Sequence, residues 1–94
     1  MYEDVRNDLV SVGATSVRVS FERLRKVIYI KNTSTGGQVI TIRLDSGAAV
    51  AGYGVVLGVN ETLIDSNTEG YMCYQGEINA IASAAGGQVS VMER

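Results

Sequence analysis

Hydrophobic and polar residues alternate along this chain in bursts too short for a helix. In SVRVSFE (16–22), Val17, Val19 and Phe21 fall on one side and Ser16, Arg18, Ser20 and Glu22 on the other. That period of two is the mark of a half-buried strand. VIYIKN (27–32) is more continuously apolar and reads as a strand covered on both faces. QVITIRL (38–44) sends Ile40, Ile42 and Leu44 one way and Thr41 and Arg43 the other. The glycine-punctuated stretch 45–61 reads as a loop to about residue 53, then a short strand at 55–58. TLID (62–65) is another short strand, and DSNTEG (65–70) is a polar turn. YMCYQ (71–75) and EINAIASA (77–84) read as strands separated at Gly76 by a tight bend or a bulge. QVSVME (88–93) is the last strand. Seven or eight short strands at even spacing predict an all-β fold. It is an antiparallel β-sandwich, jelly-roll or immunoglobulin-like, with a small closed barrel as the other solution.

The N-terminal stretch breaks the period. YEDVRNDLVSV places Tyr2, Val5, Leu9 and Val12 three and four residues apart. This spacing predicts a short amphipathic helix or a docking arm over 1–13, ahead of one sandwich domain over 14–94.

The tetrapeptide GGQV occurs at 36–39 and again at 86–89, each time between two strand-like runs. Paired glycines supply the positive φ that a chain reversal needs, so both copies read as hairpin turns. A phosphate cradle would need a helix after the glycines, and a strand follows each time. The residues after the two copies point inward with opposite parity, Ile40 and Ile42 against Val89 and Val91. The turn recurs, but the packed unit does not.

Composition narrows the function classes. Ninety-four residues make one domain, which buries only about two-thirds of its unfolded surface and gains from partner subunits. A single cysteine, Cys73, permits no internal disulfide. The start lacks the basic and apolar regions of a signal peptide, and no apolar run reaches the roughly 18–20 residues that span a bilayer. The expectation is a soluble protein made in a cytoplasm, with no membrane partner. Net charge is −2, unevenly spread: residues 1–43 carry +3 and residues 44–94 carry −5. Such asymmetry suits complementary faces that meet between subunits. It does not suit nucleic acid, which selects a basic excess.

Chemistry is sparse. There is no histidine, the commonest general base and transition-metal ligand. Cys73 has no base partner, and no serine stands in a nucleophile elbow. These absences point away from an enzyme and from a cofactor. Asp65, Asn67, Glu69 and Gly70 reproduce the first half of a calcium loop. The closing glutamate is one residue late, at Glu77, and the flanks read as strands, so a polar turn is the simpler reading. The sequons at Asn32 and Asn60 lack a secretory context. Tyr29, Tyr53, Tyr71 and Tyr74 offer a stacking platform for sugars or bases, or simple packing area. ERLRK (22–26) is the one local basic turn, with Arg23, Arg25 and Lys26. With Tyr2, Val5 and Leu9 of the arm, these are the candidate interface residues.

From residue 25 onward the order of elements carries a resemblance. A strand ends in Asn32; Leu57-Gly58 is followed by Glu61; a late strand combines Tyr74, Gly76, Ile78, Ala80 and Ile81. In this order the chain resembles the small all-β virion proteins of tailed phages and related viruses, the capsid decoration and head-associated proteins. Val59-Asn60 stands where that group favours Pro-Gly. The resemblance implies a non-enzymatic structural protein of the virion without a cofactor. It would bind and stabilise a shell through the major capsid protein or another virion protein, as a homo-oligomer and most simply a homotrimer. The alternative is a receptor- or carbohydrate-binding sandwich module of a viral fibre or spike, using Tyr53, Tyr71 and Tyr74 and a cation at 65–70.

Overall fold

A computed structural model describes residues 5–94. Eight strands make up the fold: β1 (Arg6–Val12), β2 (Val17–Ser20), β3 (Val27–Asn32), β4 (Ile40–Arg43), β5 (Val55–Leu57), β6 (Thr62–Ser66), β7 (Ile78–Ala82) and β8 (Gly87–Glu93). They form two antiparallel four-stranded sheets, ordered β1-β8-β3-β6 and β2-β7-β4-β5. The first strand pairs with the eighth, the second with the seventh, the third with the sixth and the fourth with the fifth. A long hairpin rolled back on itself in this way is a jelly roll. Among the described residues no helix is long and apolar enough to cross a membrane.

The core follows from alternation. Ile28 and Ile30 of β3 and Val89 and Val91 of β8 line the inner face of the first sheet. Ile40 and Ile42 of β4, with Ile78, Ala80 and Ala82 of β7, line the inner face of the second. These side chains meet in one cluster closed by Val12, Val19 and Leu57. The opposite parity after the two GGQV stretches is present as read: Ile40 and Ile42 are buried and Val39 is 38% exposed, whereas Val89 and Val91 are buried.

Four expectations are corrected. Residues 6–12 are not a helix or a free arm but β1, an edge strand paired with β8 along its whole length; Tyr2 lies outside the described residues. Residues 71–75 are not a strand. Asn67 and Asp65 take the Cys73 and Tyr74 amides on their side-chain oxygens, at 2.9 Å each, so a ladder has no use of those donors. The GGQV stretches are not hairpins: each carries the chain from one sheet to the other. Gly37 (φ 80°) and Gly86 (φ 88°) make the reversals, and Gln38 Nε2 donates to Ala85 O at 2.9 Å to join the two crossings. Finally, the pairing register slips between Arg18 and Ser20, which turns Ser20 inward and leaves Phe21 outside with Arg18 over its ring at 3.8 Å.

The two ends of the roll differ. Short connections 13–16, 33–39, 58–61 and 83–86 gather at one end. The other end carries loops 21–26, 44–54 and 67–77 beside the start of β1 and the end of β8. The 44–54 loop does not stand free. It lies as a strap over the outer face of the second sheet, where Asn79 Nδ2 donates to Asp45 O and Gly47 O, and Gly52 N–H donates to Thr41 Oγ1. Thr41 and Asn79, which point away from the core, are buried beneath it.

Candidate functional site

Loops on a packed scaffold are where binding surfaces arise, and the long-loop end is cross-linked by a buried ionic cluster. β1 and β8 pair Arg6 with Glu93 on the inner face, so a carboxylate is carried into the sandwich at its rim. Glu93 has no exposed surface. Arg6 Nη1 donates to it at 2.5 Å, Arg25 Nε donates to its other oxygen, and Ser20 Oγ lies 2.8 Å from both. Arg25 is itself buried. Its remaining donors reach Tyr74 O, Gly76 O and Phe21 O at 3.1, 2.9 and 2.7 Å, and Ser20 Oγ accepts a fourth at 3.1 Å. Gln75 closes the unit, accepting from Arg25 N–H and donating to Arg25 O. One guanidinium thus fastens the 21–26 loop, the 67–77 loop, β2 and β8 together.

The charge balance of this cluster is uneven. Burial alone would push the Glu93 carboxyl up, but the hydrogen bonds from Arg6, Arg25 and Ser20 outweigh it and hold the group below its ordinary 4.5. Arg6 is likewise raised: burial lowers it, and its bonds to Glu93 and Asp8 more than offset that. Arg23 lies 3.9 Å from the same carboxylate. Three guanidiniums face one buried carboxylate, so the rim retains positive charge.

A groove of about 440 Å³ opens on that rim between the two loops, lined by Arg23, Leu24, Lys26, Met72, Gln75 and Arg94 among others. Leu24 is 89% exposed and Met72 is 69% exposed. Among the described residues that line it there is no acid. Three acids of this end, Glu22, Asp45 and Glu77, line a second groove with Tyr74. One end of the roll therefore carries two grooves of opposite sign, and each draws residues from both halves of the chain.

Of the candidate interface residues, Arg23 and Lys26 line the basic groove, whereas Arg25 is the buried fastener beneath it and offers a partner nothing. Val5 and Leu9 are exposed, before and on the edge strand, and neither lines that groove. Leu24 and Met72 were not among the sequence candidates; an apolar residue between two arginines in a turn is the signal that would have found Leu24.

The cation candidates do other work. Asp65 Oδ1 accepts from Tyr71 Oη at 2.7 Å, and its Oδ2 and the Asn67 side chain cap the 71–74 backbone. Among the described residues no group of three or more acidic, cysteine or histidine side chains is placed to hold a metal. Cys73 is buried, and desolvation pushes its thiol up. The tyrosines do not make one platform. Tyr53 sits on the strap beside Arg43 and Val50, Tyr71 belongs to the 67–77 loop, and Tyr74 turns inward to donate to Glu77 O at 2.7 Å.

The residues behind the family resemblance are locks of the fold. Asn32 is fully buried; its Nδ2 donates to Gln38 O and Leu57 O at 2.8 and 2.9 Å, and its Oδ1 accepts from Ser34 N–H. Glu61 accepts from Gly58 N–H across a turn in which Asn60 adopts a φ of 66°. The Tyr74 ring folds onto Gly76, where a Cβ would stand 2.4 Å from the hydroxyl. Comparison of the chain with protein-family models, with curated proteins and with solved structures finds no match to any of them.

Proposed function

We propose that this chain is a non-enzymatic structural protein of a virion, a decoration or cement protein that seats its long-loop end on a larger protein shell. The observation that carries the reading is the pair Leu24 and Met72, both largely exposed beside Arg23, Lys26 and Arg94. A folded domain gains nothing from displaying two large flexible apolar side chains on loops that its own hydrogen bonds tie together. In a protein–protein contact they supply buried apolar area, and the basic rim supplies steering and register. Methionine suits a surface that must adapt to its partner. The partner this implies is a protein face of acidic and apolar character, such as a major capsid protein. The resemblance to phage head proteins gives the same direction, and the small core favours assembly as a homo-oligomer. No nucleic acid or membrane enters this reading.

The test is compositional. Particles of the virus that encodes this chain are purified through two density gradients and their proteins quantified by mass spectrometry. The expected result is the chain in a fixed ratio to the major shell protein. Its absence from particles, with abundance in the soluble lysate, would overturn the proposal. The second reading, a carbohydrate-binding module, is left with Tyr53, which is 74% exposed in a shallow groove beside Arg43.

A further inference from the structure

β1 and β2 follow one another in the chain, and each is the edge of its sheet. Between them the side of the sandwich opens as a groove of about 550 Å³. β1 leaves backbone groups free along this side. Val27 and Arg94 exchange both backbone hydrogen bonds at 3.2 Å, which fixes the alternation along β8. Glu93, Val91, Val89 and Gly87 therefore spend theirs on Arg6, Asp8, Val10 and Val12. The N–H and C=O groups of Asn7, Leu9 and Ser11 turn away from the sheet, and no hydrogen bond takes them up among the described residues. All three residues are exposed. The groove itself is cationic. Arg6, Arg18 and Arg23 line it against one acid, Asp8, which Arg6 already holds at 3.0 Å. Arg6 Nη2 also donates to Val19 O of β2 at 3.1 Å, so one guanidinium spans the two edges. The Arg18 guanidinium donates only to Glu77, at 3.4 Å, and lies over the exposed ring of Phe21. The Arg23 guanidinium approaches Glu93 only to 3.9 Å and makes no hydrogen bond among the described residues.

We infer that this side takes up an extended, acidic segment of a partner protein, which adds as a strand to the free edge of β1. In this mode main-chain bonds, here to Asn7, Leu9 and Ser11, supply affinity, and pockets for alternate side chains supply selection. Every second side chain of the added strand faces the groove. There carboxylates meet Arg18 and Arg23, and apolar carbon meets Phe21 and Val10. Inward charge on an edge strand discourages indiscriminate pairing, and on β1 it also selects the partner. An apolar strand would bury the groove's arginines without an answering charge. The β1 of a second copy would bring one arginine and one aspartate, and would leave the arginine excess unanswered. Arg23 lines this groove and the one at the long-loop end, so the segment continues the contact proposed there. The inference rests on that reading only for the identity of the partner.

Titration of the full chain with a synthetic peptide, followed by NMR of the backbone amides, tests it. The probe is an end-blocked peptide of about eight residues that alternates glutamate and threonine, added to about 2 mM. The expected result is saturable shifts centred on Asn7, Leu9, Ser11 and Arg18, with slowed solvent exchange of the three edge amides. The same peptide with lysine in place of glutamate is expected not to bind. Arg18→Glu should weaken binding at least about tenfold, whereas Leu24→Glu, in the other groove, should leave it unchanged. No shifts at about 2 mM, shifts without protection of the edge amides, or equal binding of the lysine peptide would overturn the inference. A chain that ignores the peptide but binds shells would overturn it and leave the functional proposal standing.

Discussion

Glu93 shows how one residue can set the character of a whole surface. Its carboxylate is buried, and it remains ionised because Arg6, Arg25 and Ser20 all bond to it. Removing one partner of a buried ion pair leaves the others uncompensated, at a cost of about 3–5 kcal/mol. Glu93→Gln is therefore expected to lower stability by about that amount in urea unfolding at neutral pH. The pH dependence has a definite sign. A carboxyl held below its ordinary 4.5 binds protons more weakly when folded than when unfolded. Its stabilisation is full above pH 4.5 and is lost as pH falls through the lower folded value. Wild-type stability should fall steeply in that acid window, and Glu93→Gln should flatten the fall. An equally steep acid slope in the variant would place the titration elsewhere. None of this cluster is legible locally. Arg6, Ser20, Arg25 and Glu93 are scattered along the chain, and only the register brings them together. Arg25 read as a surface residue because its neighbours are charged; the fold takes the middle basic residue of the turn inside.

At the scale of elements, strands with clean alternation were legible and the rest were not. Val27–Asn32 has the bounds its apolar run predicts, and Ile40–Arg43 and Thr62–Ser66 lie close to theirs. The edge strand β1 was not legible, because its inward positions include Arg6 and Asp8 and so hide the period of two. Residues 71–75 have strand composition, yet the side chains of Asp65 and Asn67 take the amides a strand would use. The glycine pairs were legible as reversals, but a reversal does not say whether the chain stays in its sheet. The strap of 44–54 makes its own prediction. Gly54 has a φ of 127°, and a Cβ there would stand 2.5 Å from Ile42 O. Gly54→Ala is expected to cost about 2 kcal/mol and to loosen the strap. Chymotrypsin should then cleave after Tyr53 faster than in the wild type, while a cleavage rate unchanged from wild type would mean the strap is held without Gly54.

The whole molecule is a jelly roll with specialised surfaces: a face covered by the 44–54 strap, and an end where long loops display Leu24 and Met72 within basic charge. The fold class could be read from strand count and spacing, but the locking roles of buried Asn32 and half-buried Tyr74 could not. The display end could not, since it depends on which loops the topology brings to one rim. The most direct test of the proposed virion role is co-sedimentation of purified chain with capsid shells prepared without it, comparing wild type with Leu24→Glu and Arg23→Glu. The account predicts saturable binding of the wild type, weakened by added salt, with each substitution reducing affinity at least about tenfold. Wild-type protein left in the supernatant, or bound equally by both variants, would contradict it.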